Sequence, residues 1–187
     1  MNTTMTADEH QLIRQCLDGE PDKYAILVDR YKNMAYTIAC RMLGDPDAAN
    51  DVAQESFVAA YSGLKEFKYG SKFSSWLYCI VMNKCRDHLR ARKDTVPVDE
   101  IIEMLRGNDP TPEQAASTRQ TGDAVQQALA ALPAEYREVI ILKHIEGLDY
   151  REMADILKES PGALKVRAHR GREMLKKLLV NMRVGNG

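Results

Sequence analysis

Apolar positions along the chain recur at intervals of three and four residues, the spacing of amphipathic α-helices. Between residues 7 and 43 this pattern predicts two helices, separated at 19–21 by Gly and Pro. A third helix is predicted to begin at Asp45-Pro46, since a capping aspartate and a proline at the first helical position both favour a helix start. The predicted fold class is all-α.

Residues 67–93 combine an aromatic loop with a two-faced helix. The loop surrounds Gly, Ser and Lys residues with aromatic side chains and includes the only tryptophan, Trp76. In the helix, one face carries Cys79, Asn83, Arg86, Arg90 and Lys93, and the opposite face carries Leu77, Val81 and Cys85. Cations hold phosphates and rings stack on bases, so this combination suits single-stranded nucleic acid. Aromatic residues ahead of an amphipathic helix are, however, more often part of a hydrophobic core than a platform for bases.

Residues 94–111 differ from what precedes them. They contain Pro97, Gly107, Asn108 and Pro110 among many acids, with no sustained apolar stripe, which predicts a mobile linker. The predicted organisation is therefore a domain over 1–93, a linker over 94–111 and a second domain over 112–187. In the second domain one helix is predicted from Thr111 to Leu132 and another over 135–146.

The C-terminal pair of helices has the clearest local signals. Asp149 is followed three residues later by Glu152, which is the pattern of a capping box, and Ser160-Pro161 predicts the start of the last helix. That last helix has an apolar packing face made of Leu164, Ala168, Gly171, Leu175 and Leu178, and basic residues elsewhere. A short helix, a tight turn and a basic helix predict a helix-turn-helix unit. A solvated face or a membrane-surface helix are the alternatives for the basic helix alone.

Charge is distributed unevenly along the 187 residues, although the net charge is only −1. Residues 161–183 are basic with the single acid Glu173, whereas residues 94–138 are mainly acidic. This predicts a bipolar molecule with weak DNA affinity of its own, because non-specific affinity scales with the phosphates neutralised.

On the third helix, Asp51, Gln54 and Glu55 share one face. This face is either ordinary solvated surface or an acidic patch for a basic partner.

The same composition limits location and metal chemistry. No apolar run approaches the ~20 residues of a membrane span, and the N-terminus lacks the features of a signal peptide, which predicts a cytoplasmic protein. The four cysteines form no C-x-x-C pair, so reduced thiols are expected. Cys85 and His88 could supply half of a metal site, but no second half follows, and we expect neither metal nor cofactor.

Several motifs occur together and in order. They are Asp51-Val-Ala-Gln-Glu-Ser-Phe57, Phe73-Ser-Ser-Trp-Leu-Tyr78 with Asn83, Leu132-Pro133, Gly147-Leu-Asp-Tyr-Arg-Glu-Met-Ala154 and Gly162-Ala-Leu-Lys-Val-Arg-Ala-His-Arg-Gly-Arg172. With them the chain resembles the extracytoplasmic-function (ECF) class of bacterial sigma-70-type sigma factors, over residues 10–92 and 112–180. The resemblance implies two helical domains, the second and fourth conserved regions of sigma factors, joined by a flexible linker.

The resemblance also implies functional surfaces. Docking on the coiled coil of the largest subunit of core RNA polymerase is assigned to Asp51, Gln54, Glu55 and Phe57. Capture of the single-stranded −10 promoter element is assigned to Phe67, Tyr69, Lys72, Phe73, Trp76, Tyr78, Asn83, Arg86 and Arg90. Recognition of the duplex −35 element is assigned to Lys165, Val166, Arg167, His169, Arg170 and Arg172. An anti-sigma factor, often membrane-bound in relatives, is the further partner that the resemblance implies, and promoter DNA the target.

Three positions depart from the family pattern. Lys165 stands where an arginine is common, so a point charge replaces a bidentate guanine contact. Cys79 removes a cation from the basic face of its helix, and Val166 replaces a small polar residue and could touch a thymine methyl. These departures concern the promoter sequence and leave the function class unchanged.

Two other function classes are weighed against a sigma factor. A stand-alone helix-turn-helix regulator of duplex DNA would account for the C-terminal domain, but would leave the aromatic loop and the acidic patch without a role. An enzyme has little support, because the chain has no phosphate-cradling glycine loop and its four histidines are scattered. No small-molecule substrate is therefore expected.

Overall fold

The computed structural model describes residues 2–68, 71–95 and 119–184, and these are helical with short connections and no strand. The N-terminal half contains α1 (Asn2–Leu17), α2 (Tyr24–Leu43), α3 (Pro46–Ser62) and α4 (Phe73–Thr95), with single 3₁₀ turns at Pro21–Lys23 and Leu64–Glu66. The C-terminal half contains α5 (Arg119–Ala131), α6 (Ala134–Ile140), α7 (Tyr150–Leu157) and α8 (Pro161–Val184). The all-α prediction is confirmed.

Helix ends follow the predicted local chemistry. Asp45 caps α3 by accepting hydrogen bonds from the backbone N–H groups of Asp47 and Ala48. Asp149 and Glu152 form the predicted capping box at α7, and Ser160 Oγ accepts from Ala163 N at the start of α8. The α2 helix ends at Gly44, whose φ of +73° is the left-handed conformation that glycine adopts without strain.

One predicted helix is interrupted. Over 135–146 the sequence predicts a single helix, but the structure has α6 followed by a π-helical turn at Ile141–Ile145. The run Val139-Ile140-Ile141-Leu142 is continuously apolar, and Val139, Ile141 and Leu142 are fully buried. The start predicted at Thr111 and most of the predicted linker lie outside the described residues.

The larger of two hydrophobic clusters in the described residues extends through both halves. It includes Phe73, Leu77 and Val81 of the N-terminal half together with Leu142 and Met153 of the C-terminal half. Helix contacts between the halves include those of α4 with α7 and of α2 with α5 and α6. The two halves, predicted as separate units, therefore pack against each other.

Polar contacts reinforce this packing at the C-terminal end of α2. Arg137, only 7% exposed, donates hydrogen bonds to the carbonyl oxygens of Met42, Ala130 and Leu132. Gln126 Nε2 donates to Cys40 O at 3.2 Å, and Arg41 Nη1 donates to Gln126 Oε1 at 3.0 Å. Arg137 thus supplies a donor to Met42 O in the last turn of α2, and Gln126 adds a second donor to Cys40 O, which already accepts from the backbone N–H of Gly44.

Gly171 allows the close approach of α8 to α6. A Cβ placed there would lie 3.1 Å from Ile140 Cγ1, and Ile140 is itself buried. Gly162, on the same helix, has no atom within 4 Å of such a Cβ. Adding a methyl at Gly171 therefore requires the packed Ile140 side chain to move.

We expect Gly171→Ala to be less stable than Gly162→Ala by about 1–3 kcal/mol, the usual cost of overpacking. Helix propensity favours alanine at both sites, and more strongly at Gly171 in the helix interior than at Gly162 in the first turn, so a lower stability of Gly171→Ala can only come from the steric term. Urea unfolding of both variants measures this difference. Equal free energies of unfolding would show that Ile140 accommodates the methyl group freely.

Candidate nucleic-acid and polymerase interfaces

The aromatic loop is built over a buried ring cluster. Phe67 and Phe73 are 4% and 0% exposed, and their ring centroids lie 5.5 and 5.8 Å from that of Trp76. Trp76 is only partly buried, so it is the member of this trio with a surface available for a ligand. Tyr69 lies outside the described residues. The structure thus places Phe67 and Phe73 in the core, where both rings pack against the buried side of Trp76.

The basic face of α4 is divided into an exposed part and a covered part. Asn83 and Arg90 are exposed, and Asn83 Oδ1 accepts a hydrogen bond from Arg86 Nη1 at 3.0 Å. Tyr78 is buried, and its hydroxyl donates to Glu146 Oε2 at 2.7 Å. Burial, reinforced by the Glu146 carboxylate, raises the pKa of Tyr78, so the phenol stays protonated.

Two further residues of the predicted −10 surface contact the C-terminal half. Lys72 Nζ forms an ion pair with Glu152 at 2.9 Å, and Arg86 Nη2 forms one with Glu138 at 2.7 Å. The Lys72 ammonium and the backbone N–H of Asp149, both of which donate to the Glu152 carboxylate, lower the pKa of Glu152. The sequence did not identify Glu138, Glu146 and Glu152 as partners of this surface, because their contacts join residues that are far apart in the chain.

The acidic face of α3 is open. Asp51, Gln54 and Glu55 are all exposed, and they line a shallow depression with the 67% exposed Val58. Lys84 of α4 closes one side through an ion pair with Glu55 at 2.9 Å. Phe57 is only 8% exposed and lies on the core face with Ala53 and Ala60, so it supports this surface from behind.

The helix-turn-helix unit is formed by α7 and α8. The turn contains Lys158 in a left-handed conformation with φ of 58°, and the buried Leu164 and Ala168 fix α8 against the rest of the half. Most of the predicted −35 contacts are exposed on α8, namely Lys165, Val166, His169, Arg170 and Arg172. Arg167 differs, since it is half-buried and paired with Glu159 at 2.5 Å.

Glu138 lies between the two basic surfaces. Its side chain is 4% exposed, with Arg86 of α4 at 2.7 Å on one carboxylate oxygen and Arg167 of α8 at 3.6 Å on the other. Burial raises the pKa of Glu138, while Arg86 and Arg167 oppose that rise. From the sequence, Glu138 counted only as one of the many acids preceding the helix-turn-helix. The adjoining run Val139-Ile140-Ile141-Leu142 was the one signal that it would be buried.

The described residues also bear on metal and membrane chemistry. Within the described ranges, no group of three or more His, Cys, Asp and Glu side chains could hold a metal ion. All four cysteines are free thiols, of which Cys16 and Cys85 are buried. Among the helices in the described part of the chain, none has the length and apolar character needed to cross a membrane.

An all-helical chain with a capped helix-turn-helix and an exposed basic second helix belongs to the class of DNA-binding proteins. Family comparison is more specific. Residues 27–95 match the family model "Sigma-70 region 2", and residues 122–175 match "Sigma-70, region 4".

Relatives agree over nearly the whole chain. ECF RNA polymerase sigma factor SigW of Bacillus subtilis is 37% identical over 176 residues, covering 89% of this chain and 94% of SigW. The RNA polymerase sigma-H factor of Pseudomonas aeruginosa is 30% identical over 180 residues, covering 91% and 93%. The chain belongs to the ECF sigma factors of the sigma-70 family and is a transcription initiation factor. The prediction of a sigma factor is thereby confirmed, and the alternative of a stand-alone helix-turn-helix regulator is not supported.

Solved structures show the same fold. CnrH, in a structure of its complex with the cytosolic domain of CnrY, is 29% identical with a TM-score of 0.67, covering 91% of this chain and 96% of CnrH. The sigma factor RpoE from Bartonella quintana, in a co-crystal structure with the anti-sigma factor NepR, has a TM-score of 0.64 at 23% identity, covering 83% and 96%. The second likeness concerns the fold alone.

Proposed function

We propose that this sigma factor docks on core RNA polymerase, directs it to −35 and −10 promoter elements and promotes strand opening there. The observation that carries the proposal is the surface of α8. Leu164 and Ala168 are fully buried on one side, while Lys165, His169 and Arg170 are exposed on the other. A helix anchored in this way presents a cationic edge to the major groove, where base edges are distinguishable.

Polymerase docking is assigned to the acidic face of α3. Asp51 and Glu55 supply negative charge, Gln54 supplies hydrogen bonds and Val58 supplies an exposed apolar contact. Such a surface is complementary to a basic helical partner, and we propose the coiled coil of the largest polymerase subunit. Interfaces of this type combine a small apolar centre with a charged rim.

Strand opening is assigned to Trp76 and the exposed part of α4. A base that leaves the stack would be held by the Trp76 ring, and Asn83 and Arg90 would follow the displaced strand. Base stacking on an aromatic ring is worth about 1–3 kcal/mol, which is comparable with the cost of unstacking a base. The sigma factor itself then needs no catalytic group, since the polymerase carries out the chemistry.

An anti-sigma factor is the proposed regulatory partner. Support comes from CnrH and the Bartonella RpoE, whose structures are complexes with CnrY and with an anti-sigma factor. We place this chain in the cytoplasm, with membrane association only through a membrane-bound anti-sigma factor.

Run-off transcription tests the proposal. Core RNA polymerase from Bacillus subtilis, host of the relative SigW, is combined with this protein on a library of promoters with varied −35 and −10 sequences. We expect transcription from a subset of promoters only when both proteins are present. Tight and selective binding of duplex promoter DNA by the isolated chain would overturn the proposal in favour of a stand-alone regulator.

Lys165→Ala tests whether α8 reads bases. We expect a loss of about 1–3 kcal/mol in −35 binding by the polymerase complex, with relaxed preference at one base pair, because Lys165 is exposed on the groove-facing side. Competition binding against single-base variants of the −35 element measures this change. Lys176→Ala is the matched control, as Lys176 is exposed about three turns further along α8. A uniform loss across all sequences for Lys165→Ala would make it a phosphate contact.

A further inference from the structure

Helix α1 contacts the residues that lead into α4, far away in the chain. His10 Nε2 lies 3.2 Å from Ser71 O, and 61 positions separate the two residues. A carbonyl oxygen only accepts hydrogen bonds, so Nε2 is the donor. The His10 ring also packs against Phe67, with the ring centroids 5.9 Å apart and the ring planes inclined by 58°. His10 therefore holds the backbone just before α4 through a hydrogen bond and a ring contact.

Glu9 provides a second link from α1, which passes through α2. Glu9 is 3% exposed and accepts a hydrogen bond from the Tyr31 hydroxyl, and Arg30 Nη1 lies 3.6 Å from the same carboxylate oxygen. Burial, together with the Glu9 carboxylate, raises the pKa of Tyr31, so the phenol stays protonated and continues to donate. The Tyr31 ring in turn lies 5.6 Å from the ring of Phe73, the first residue of α4.

The position of Trp76 depends on the residues that α1 holds. We call residues 71–76 the opening segment, because strand opening is assigned to its last member. Trp76 N donates to Lys72 O at 3.3 Å, which places the indole in the first turn of α4. One edge of the indole rests on Gly63, where an added Cβ would lie 3.5 Å from Cζ2. A shift at Ser71 therefore carries Trp76 with it and changes how the indole is covered.

Capture of a base is sensitive to this position. Trp76 is partly exposed while Phe67 and Phe73 are buried, so a neighbouring ring of the cluster offers no replacement for it. A side chain that must be ordered when its ligand arrives loses affinity, whereas one that is already in place does not. The contacts of α1 thus act on the step in which the unstacked base is held.

We propose that His10 is a positioning residue for strand opening, whose hydrogen bond to Ser71 O holds the opening segment with the exposed side of Trp76 ready for a base. The inference rests on the proposed capture of a base by Trp76. His10 acts through Ser71 and makes no contact with the base itself. The role of α1 is then to keep the indole in place before DNA arrives.

Two substitutions at His10 separate the hydrogen bond from packing. His10→Phe keeps a ring against Phe67 and removes the donor, whereas His10→Gln keeps an N–H donor and removes the ring. We expect promoter opening with core polymerase, measured by permanganate footprinting, to fall about 2–10-fold for His10→Phe, the factor that one neutral hydrogen bond is worth. His10→Gln should open the promoter as the wild type does, and −35 duplex binding should be unchanged in both. Wild-type opening by His10→Phe overturns the proposal, as does an equal loss in both variants.

The single tryptophan reports the position of the opening segment without polymerase or DNA. In the full chain, we expect acrylamide to quench the fluorescence of Trp76 more strongly in His10→Phe than in the wild type, because a released segment exposes more of the indole. Quenching in His10→Gln should match the wild type. Gln11→Phe is the matched control, since Gln11 is exposed on α1 beside His10 and its replacement should leave quenching unchanged.

Tyr31→Phe loosens the second link, in case His10→Phe disturbs the fold. It removes the hydroxyl that donates to Glu9 and keeps the ring against Phe73, and we expect a smaller increase in Trp76 quenching. Unchanged quenching in both variants overturns the proposal. The proposed function is judged separately: absence of run-off transcription with the wild-type protein would refute it, whereas the fluorescence comparison still decides whether α1 holds the opening segment.

Discussion

Trp76→Ala should reduce promoter opening by about 10–100-fold while leaving −35 duplex binding by the polymerase complex nearly unchanged. The reason is that Trp76 is the partly exposed member of the ring cluster with Phe67 and Phe73, and stacking a captured base is worth about 1–3 kcal/mol. Permanganate footprinting of unpaired thymines measures opening, and an electrophoretic assay with a −35 duplex measures binding.

A packing control is needed because Trp76 also contacts the core. Phe73→Leu removes an aromatic ring from the same cluster, but Phe73 is fully buried and has no surface for a base. We expect Phe73→Leu to lower thermal stability without a specific loss of opening. The two variants are compared at equal concentrations of folded protein. If both lose promoter opening to the same degree, Trp76 acts through packing and its assigned contact with a base is wrong.

Arg137→Met should lower the free energy of unfolding by about 3 kcal/mol. Its guanidinium donates hydrogen bonds to the carbonyl oxygens of Met42, Ala130 and Leu132. Each buried acceptor left without a donor costs about 1–3 kcal/mol. Part of that loss is offset, because the variant no longer buries a charge. Desolvation already lowers the pKa of Arg137, which shows the cost of that burial.

Denaturant unfolding measures this change, with Arg151→Met as the control. Arg151 is exposed on α7, so its replacement should alter stability by no more than about 0.5 kcal/mol. Equal stability of the two variants would show that water replaces the guanidinium at these carbonyls. If the variant destabilises only the C-terminal half, the hydrogen bond from Arg137 to Met42 O contributes little to the packing of the two halves.

Local features of the fold could be predicted from the sequence because their causes lie within a few residues. The caps at Asp45 and Asp149 and the packing face of α8 depend on side chains one turn apart, and the structure confirms them. The π-helical turn after Ile140 could not be predicted. The apolar run Val139-Ile140-Ile141-Leu142 leads into that segment without a break, and a continuous apolar run carries no periodicity that would distinguish one helical geometry from another.

The functional surfaces were predictable only in part. Exposure of Asp51, Gln54 and Glu55 agrees with a docking face, although their contact with polymerase stays a prediction. The burial of Phe67 and Phe73 could not be predicted, because an aromatic loop has the same sequence signature whether its rings face bases or a core. The roles of Arg137 and Glu138 depend on contacts between the two halves, which no local pattern reports.

The ion pairs between the halves also affect how added salt acts on this protein. Raising the ionic strength screens Lys72–Glu152, whose side chains are 42% and 32% exposed, and thereby favours separation of the halves. The same salt weakens DNA binding, because each condensed counterion that is released gains less entropy when the surrounding salt concentration is higher. The two effects oppose each other, so the isolated chain should lose DNA affinity with salt less steeply than its phosphate contacts alone would dictate.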